Sequence, residues 1–300
     1  METLKAILYF SIFRYPLKFE EIHNYTNYED ADQTQNELNL LVNNKIITKI
    51  DEFYVYGNDL DSVTKRLRGN FNAIKIFQKA QKKAKFISKF PFVEAVGISG
   101  SLSKNYFDKD SDIDFFVITK PKRLWICRTL LMFYKKIFLL NSKKFFCINY
   151  FISSSKLEIK EKNRFTATEL ITLIPIHGKD IFEKFYQSNT WANEYYSKFT
   201  PNLDTITETK IPLLIKAFET ITHNHFGESI DNLFRSITLK KWYSKFGHLE
   251  KSDFDVAMKS TKNISKHHPS NFQKKVIQAL NNKLEEVEQK FNIKIVKEHE

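Results

Sequence analysis

Cysteine, glycine and proline are all scarce in this chain of 300 residues, which holds two, seven and seven of them. Cys127 and Cys147 both lie inside apolar stretches, which argues against a disulfide framework or a zinc site and for reduced core thiols of a cytoplasmic protein. So few glycines and prolines, without a low-complexity tract or internal repeat, exclude fibrous and linker-rich architectures. Long apolar runs are missing too. The best, residues 130–140, is interrupted by Lys135 and Lys136, well short of the roughly 18 uncharged residues a membrane span needs. The opening METLKAILYFSIFRYP lacks the basic start and small-residue cleavage site of a signal peptide. The expected protein is soluble, cytoplasmic and without a membrane partner, and at 42% hydrophobic it can bury a core shared by two or three modules.

Acidic residues are the minority, with a net charge of +12, but the imbalance is uneven. Residues 1–60 carry 5 basic and 10 acidic side chains, a net of −5, and the rest carries 42 against 25, a net of +17. Residues 62–90 hold nine Lys/Arg and no acid. Apolar Ile74, Phe77, Ala84 and Ile87 give this stretch the stripe of an amphipathic helix. Its cations are either a solvated face or a phosphate-facing wall, and the basic surface makes nucleic acid a candidate partner. The abundance of Lys, Asn, Ile and Phe also fits an AT-rich coding bias, which needs no such partner.

The first sixty residues read as three helices and a hairpin. LKAILYFSIF ends at Pro16, KFEEIHNYT is short, ADQTQNELNLLVNN has Leu38, Leu41 and Val42 on one stripe, and KIITKIDEFYVYG turns at Asp51-Glu52. That order resembles a winged helix. Its recognition helix, residues 31–43, has no Lys or Arg, so a structural or protein-contact role is favoured over DNA reading. Residues 91–155 alternate strand, helix, strand, helix, strand. Beyond them FTATELITLIPI and the segments that follow read as helical, with Ile176-His177-Gly178 as a helix stop. The expected units are 1–60, a linking helix 61–90, a core 91–155 and a helical region 156–300.

The chemistry concentrates in GISGSLSKNYFDKDSDIDFFVIT, residues 97–119. Asp112 and Asp114, two apart at the opening of a β-run, share one face with Cα atoms roughly 6.6 Å apart, while Ile113 points into the core. Carboxylates so close repel one another, and divalent cations relieve that directly. Upstream, Gly100-Ser101 ends one strand, where a glycine lets phosphate approach the backbone and a hydroxyl can hold it. Lys104 lies one turn further on and can reach the same phosphate. A calcium loop is excluded because Ile113 and Thr119 stand where glycine and glutamate are required. The nucleophile-elbow and P-loop patterns fail at Ser101 and Lys104. Asp108 and Asp110 read as exposed loop acids.

Gly-Ser followed by Asp-x-Asp on a strand resembles the DNA polymerase beta-type nucleotidyltransferase superfamily. The whole chain is similar to bacterial proteins that join a winged-helix start to such a domain. The resemblance implies an α+β fold, with a core of mixed sheet and helices between the N-terminal module and C-terminal helices. It implies that Gly100 and Ser101 contact nucleotide phosphates and that Asp112 and Asp114 bind two Mg²⁺ ions, with Mn²⁺ able to stand in. The activity implied is transfer of a nucleoside monophosphate from an NTP to a hydroxyl acceptor, whether protein, nucleic acid or small molecule. The superfamily's third carboxylate belongs on FFCINYFIS, where the inward polar residue is Asn149. An amide cannot serve as a general base. Either the acceptor needs little activation, or Glu158, Glu161 or Glu169 substitutes, or the domain is a catalytically weak nucleotide- or nucleic-acid-binding regulator. Arg123 and Arg128 are further phosphate-binding candidates, and His267-His268 are expected to be solvated.

Overall fold

The computed structural model describes residues 1–142, 144–268 and 271–299. An N-terminal unit is built from helix α1 (Glu2–Ser11), strand β1 (Leu17–Lys18), α2 (Phe19–Asn24), α3 (Ala31–Asn43), β2 (Ile47–Ile50) and β3 (Phe53–Tyr56). The hairpin expected around Asp51-Glu52 is present. The two-residue β1 joins it to make an antiparallel sheet of order β1-β3-β2.

A 28-residue helix, α4 (Leu60–Ile87), leads to β4 (Val93–Ser99), a single-turn α5 (Gly100–Ser103), β5 (Asp114–Thr119), α6 (Leu124–Phe138) and β6 (Cys147–Ser153). Then follow α7 (Arg164–Ile171), β7 (Ile174–His177), α8 (Lys179–Gln187), a 3-10 turn (Thr190–Glu194), α9 (Leu213–Ile221), α10 (His225–Phe246), α11 (Lys251–Ala257), β8 (Ile264–Lys266) and α12 (Phe272–Phe291). The central sheet is mixed, with order β7-β4-β5-β6-β8. Only β5 and β6 run parallel, as the long connection through α6 requires.

Both edge strands come from residues 156–300, which the sequence pattern assigned to helices. TLIPIH does not extend the preceding helix: α7 stops at Ile171, and Ile174–His177 pairs with β4, Gly97 opposite Pro175. A proline has no N–H for a ladder, so it is tolerated on an edge such as this one. The core sheet therefore reaches beyond residue 155.

Strand alternation sorts the sheet into two faces. Val96, Ile98, Ile113, Phe115 and Val117 pack beneath α4 and α6. Ala95, Phe116, Ile118 and Ile152 pack beneath α7 and α8. A third apolar core joins distant parts of the chain, where Leu4, Leu8 and Phe10 of α1 meet Val276, Leu280 and Leu284 of α12.

Helix α4 is a structural strut. Arg66, buried, bonds Glu21 at 2.6 Å and the Pro16 carbonyl, and stacks over Tyr15 and Phe53. The inward stripe differs from the expected one. Gly69, Ala73, Ala80, Ala84 and Ile87 are buried, whereas Ile74 is 67% exposed. Small side chains let the helix lie close to its neighbours: an added Cβ at Gly69 would sit 2.1 Å from the Tyr106 ring. Ile74, one residue from Ala73, is turned about 100° away from that seam. Ile87→Ala should cost about 2–5 kcal/mol and Ile74→Ala less than about 0.5 kcal/mol in chemical denaturation. A comparable loss from both would contradict this seam.

Candidate nucleotide and metal site

A cavity of about 580 Å³ opens on the sheet face that carries α7, enclosed by the ends of β4, β5, β6 and β8, by α7, and by aromatic side chains of α1 and α12. Its walls include Ser99, Gly100, Ser101, Lys104, Asp114 and Asn149. Five of these six are residues singled out from the sequence. No residue of α4 lines it, because the second half of that helix packs on the opposite sheet face. The lysines of that second half therefore lie off this cavity, whereas Lys65 near the start of α4 sits over the ring of Tyr106, a cavity residue, at 5.7 Å.

The β4–β5 ladder sets Ser99 opposite Asp114. The next residue, Gly100, turns the chain with φ +71°, and an added Cβ there would lie 2.5 Å from Asp114 Oδ2. Glycine is thus demanded twice, by the left-handed backbone and by the carboxylate in front of it. Burial against the sheet pushes the Asp114 carboxyl up to about 7, and the charges of Asp112 and Glu169 push the same way. A hydrogen bond with the Cys147 thiol and the ammonium of Lys104 oppose this. Cys147 in turn is pushed up to about 12, by burial first and then by Asp114.

Asp112 lies in the extended segment before β5, which begins only at Asp114. The expected alternation persists: Ile113 is fully buried between two partly exposed aspartates. Asp112 does not line the cavity, although its charge is felt at Asp114; Asp110 and Ser111 border the cavity instead. Asp110 is exposed, as expected, but Asp108 is half-buried and accepts hydrogen bonds from Tyr106 Oη (2.7 Å) and Ser111 Oγ (2.8 Å). It braces the loop.

Asn149 reaches the site through a β-bulge. Phe115 pairs with Ile148 and Phe116 with Tyr150, so Asn149 is the extra residue. Its Nδ2 lies 2.9 Å from Cys147 Sγ and 3.5 Å from Asp114 Oδ1. Of the three substitute acids, Glu161 and Glu169 line the cavity and Glu158 does not. Glu158 is exposed and paired with Lys162 at 2.8 Å, and Glu161 pairs with Lys259 at 2.6 Å. Glu169, on α7, pairs with Lys104 Nζ at 2.7 Å and perturbs Asp114. Lys104 Nζ also donates to the Gly100 carbonyl at 3.1 Å.

Other candidates have structural duties. Arg123 is buried and donates to the carbonyls of Thr222 and Asn224 at 3.0 Å each, holding the start of α10. Arg128 stacks on Trp242 at 4.8 Å. His267 packs against Trp242 and Phe246, and His268 lines the cavity, so neither is simply solvated. Sequence reasoning missed the aromatic walls, such as Phe13, Phe165 and Phe272, and the buried Lys266, because they arrive from segments far apart in the chain.

Among the described residues no group of three or more His, Cys, Asp or Glu side chains forms a self-sufficient metal cage. Magnesium does not require one: it is commonly held by one or two carboxylates, with substrate phosphates and waters completing the shell. Asp114, a hard carboxylate on the cavity wall facing a Cβ-free glycine, fits one ligand position of such an ion, while Asp112 stands two residues away, off the cavity wall.

Residues 79–220 match the family model of the nucleotidyltransferase domain. The match runs from within α4 to within α9 and takes in Gly100, Ser101, Lys104, Asp112, Asp114, Asn149 and Glu169. Such a domain implies nucleotide substrates and transfer of a nucleoside monophosphate. No curated protein and no solved structure matches the chain. Among the described residues no helix is long and apolar enough to cross a membrane.

The pH dependence of stability checks the electrostatics. Because the Asp114 pKa rises from 3.8 to about 7 on folding, its favourable contribution is complete below pH ~3.8 and is lost as pH rises through ~7. In metal-free protein, Asp114→Asn should therefore raise Tm at pH 8 and leave it nearly unchanged near pH 4. A gap that widens towards acid would show that the carboxylate is stabilised, not strained.

Proposed function

We propose that the protein is a Mg²⁺-dependent nucleotidyltransferase that moves a nucleoside monophosphate from an NTP to a hydroxyl acceptor and releases pyrophosphate. The observation that carries this reading is Asp114, desolvated and crowded by Asp112 and Glu169 against the bare Gly100 turn. Asp112 and Asp114 are the residues that would hold Mg²⁺, or Mn²⁺ in its place, which supplies positive charge to carboxylates and polyphosphate alike. Gly100 and Ser101 cradle the outer phosphates, with Lys104 as their cation. The acceptor oxygen forms its bond to the α-phosphorus while the bond to the bridging oxygen of the β-phosphate breaks. Pyrophosphate leaves with that electron pair.

The acceptor proton passes to Glu169, which takes the place of the acid missing from β6. Support for that role is its position on the cavity wall and its charge effect on Asp114. Lys104 holds it in place, and an incoming phosphate that draws Lys104 away frees it. Asn149 orients Asp114 through its amide.

A second reading, a catalytically weak regulator that binds nucleotide, is favoured by one observation. Strand β6 carries no acid, and Glu169 is engaged by Lys104. In either reading we take residues 1–60 as a winged helix, supported by the order α1-β1-α2-α3-β2-β3. A partner-protein surface suits it better than DNA, since α3 has no Lys or Arg. Nucleic acid held on the exposed cations of α4 would lie away from the cavity.

Incubation with α-labelled NTPs, Mg²⁺ and candidate acceptors tests the main reading. Asp112→Asn should reduce labelling at least about a hundredfold, and Glu169→Gln about 10²–10⁴-fold, with nucleotide binding retained by the latter. Undiminished labelling by Asp112→Asn would remove the enzymatic reading. Metal-dependent NTP binding without pyrophosphate release would favour the regulator.

A further inference from the structure

Lys266 is a buried cation whose charge the protein leaves partly uncompensated. It ends the edge strand β8, is only 8% exposed, and lines the same cavity as Asp114. Its Nζ donates to the neutral amide oxygen of Gln273 at 3.1 Å and lies 5.9 Å from the Tyr150 ring centre. The nearby carboxylate, Glu161, is engaged by Lys259 at 2.6 Å. Two lysines thus share one acid at this end of the cavity, and His268 adds no anion. An ammonium buried beside apolar walls without a full counter-charge is costly, and a ligand anion offsets that cost.

The sheet register places this cation relative to the reacting end. Lys266 pairs with Tyr150, and Tyr150 with Phe116, two residues along β5 from Asp114. Two interstrand steps and two residues put the Cα atoms of Asp114 and Lys266 roughly 12 Å apart. Between them the cavity is walled by Phe116, Tyr150, Phe165, Leu170 and Phe272. Aromatic and aliphatic side chains so arranged favour a flat apolar body.

We infer that the cavity end formed by Lys266 and Gln273 is the acceptor subsite, and that it selects a small hydroxylated aromatic or alkyl acid. The acceptor's carboxylate sits on Lys266, its apolar body lies along the aromatic wall, and its hydroxyl is delivered towards Asp114 and Glu169. This assignment rests on the transferase reading for what happens to the hydroxyl, but the binding itself does not.

Calorimetry on the full chain with Mg²⁺ tests the two separately. The probes are hydroxyphenyl alkanoates with one to four methylenes, their uncharged amides, and a non-hydrolysable α,β-methylene ATP. At least one acid should bind, and its amide at least tenfold more weakly. Lys266→Met should erase that preference, Lys266→Arg should keep it, and both should bind the nucleotide analogue within about twofold of wild type. The assignment is overturned if no acid in the series binds, if acid and amide bind alike, or if Lys266→Met weakens the nucleotide instead. Wild type that binds the acids but no nucleotide would leave the subsite standing and remove the transferase reading.

Discussion

The site depends on a confrontation between one carboxylate and one missing side chain. Asp114 Oδ2 faces the bare Cα of Gly100 at a separation no β-carbon could share. The β4–β5 ladder sets Ser99 opposite Asp114 and so fixes the two backbones beside one another. The carboxylate is also desolvated and surrounded by Asp112 and Glu169. A group so placed either keeps its proton or waits for positive charge. With its pKa raised to about 7, Asp114 in the isolated chain holds its proton below neutral pH and becomes an anion above it. The metal of a metal–polyphosphate ligand is the kind of positive charge that would suit the anion.

The rest of the fold supports this arrangement from several directions. Asn149 reaches Asp114 only because β6 bulges by one residue. The bulge is locked from outside, since the Asn149 carbonyl accepts from His267 N at 2.9 Å just past β8. Glu169 is presented by α7, whose first turn is capped by Asn163 accepting from Thr166 N at 3.0 Å. Helices α1 and α12 share one apolar core and close the cavity with Phe10 and Phe272, joined by Phe13 from the turn after α1. Elements from both ends of the described chain thus converge on a site whose central motif occupies a short stretch between them.

Charge is distributed with similar economy. The basic α4 is tied to the N-terminal unit by buried Arg66 and to the sheet by a seam of small residues. The lysines of its second half lie on the opposite sheet face, some over aromatic rings, as Lys79 does over Phe145 at 3.8 Å. The lysines on the cavity wall among the described residues are Lys104 beside the glycine turn and Lys266 at the far end, where Lys259 pairs with the wall residue Glu161. Net charge alone is therefore a poor guide to where this protein meets an anion.

Local rules made much of this readable in advance. Period-two alternation put Asp112 and Asp114 astride a buried Ile113, the Gly-Ser pair marked the end of a strand, and helix stripes located α3 and α4. These features depend on residues within a few positions of one another, so the amino-acid order decides them. What it could not decide was which distant segments would meet. TLIPIH has the apolar content of a helix end and becomes an edge strand because β4 offers an unpaired ladder that a proline can border. Ile74 was as apolar as its neighbours, yet the seam chose Gly69 and Ala73, since close packing against Tyr106 rewards small side chains. Among three candidate acids only Glu169 came to the aspartates, carried there by α7 packing on the sheet. The linear order determined the motif and its charge; long-range packing alone determined which residues enclose it, because burial is a property of the assembled surfaces and not of any segment by itself.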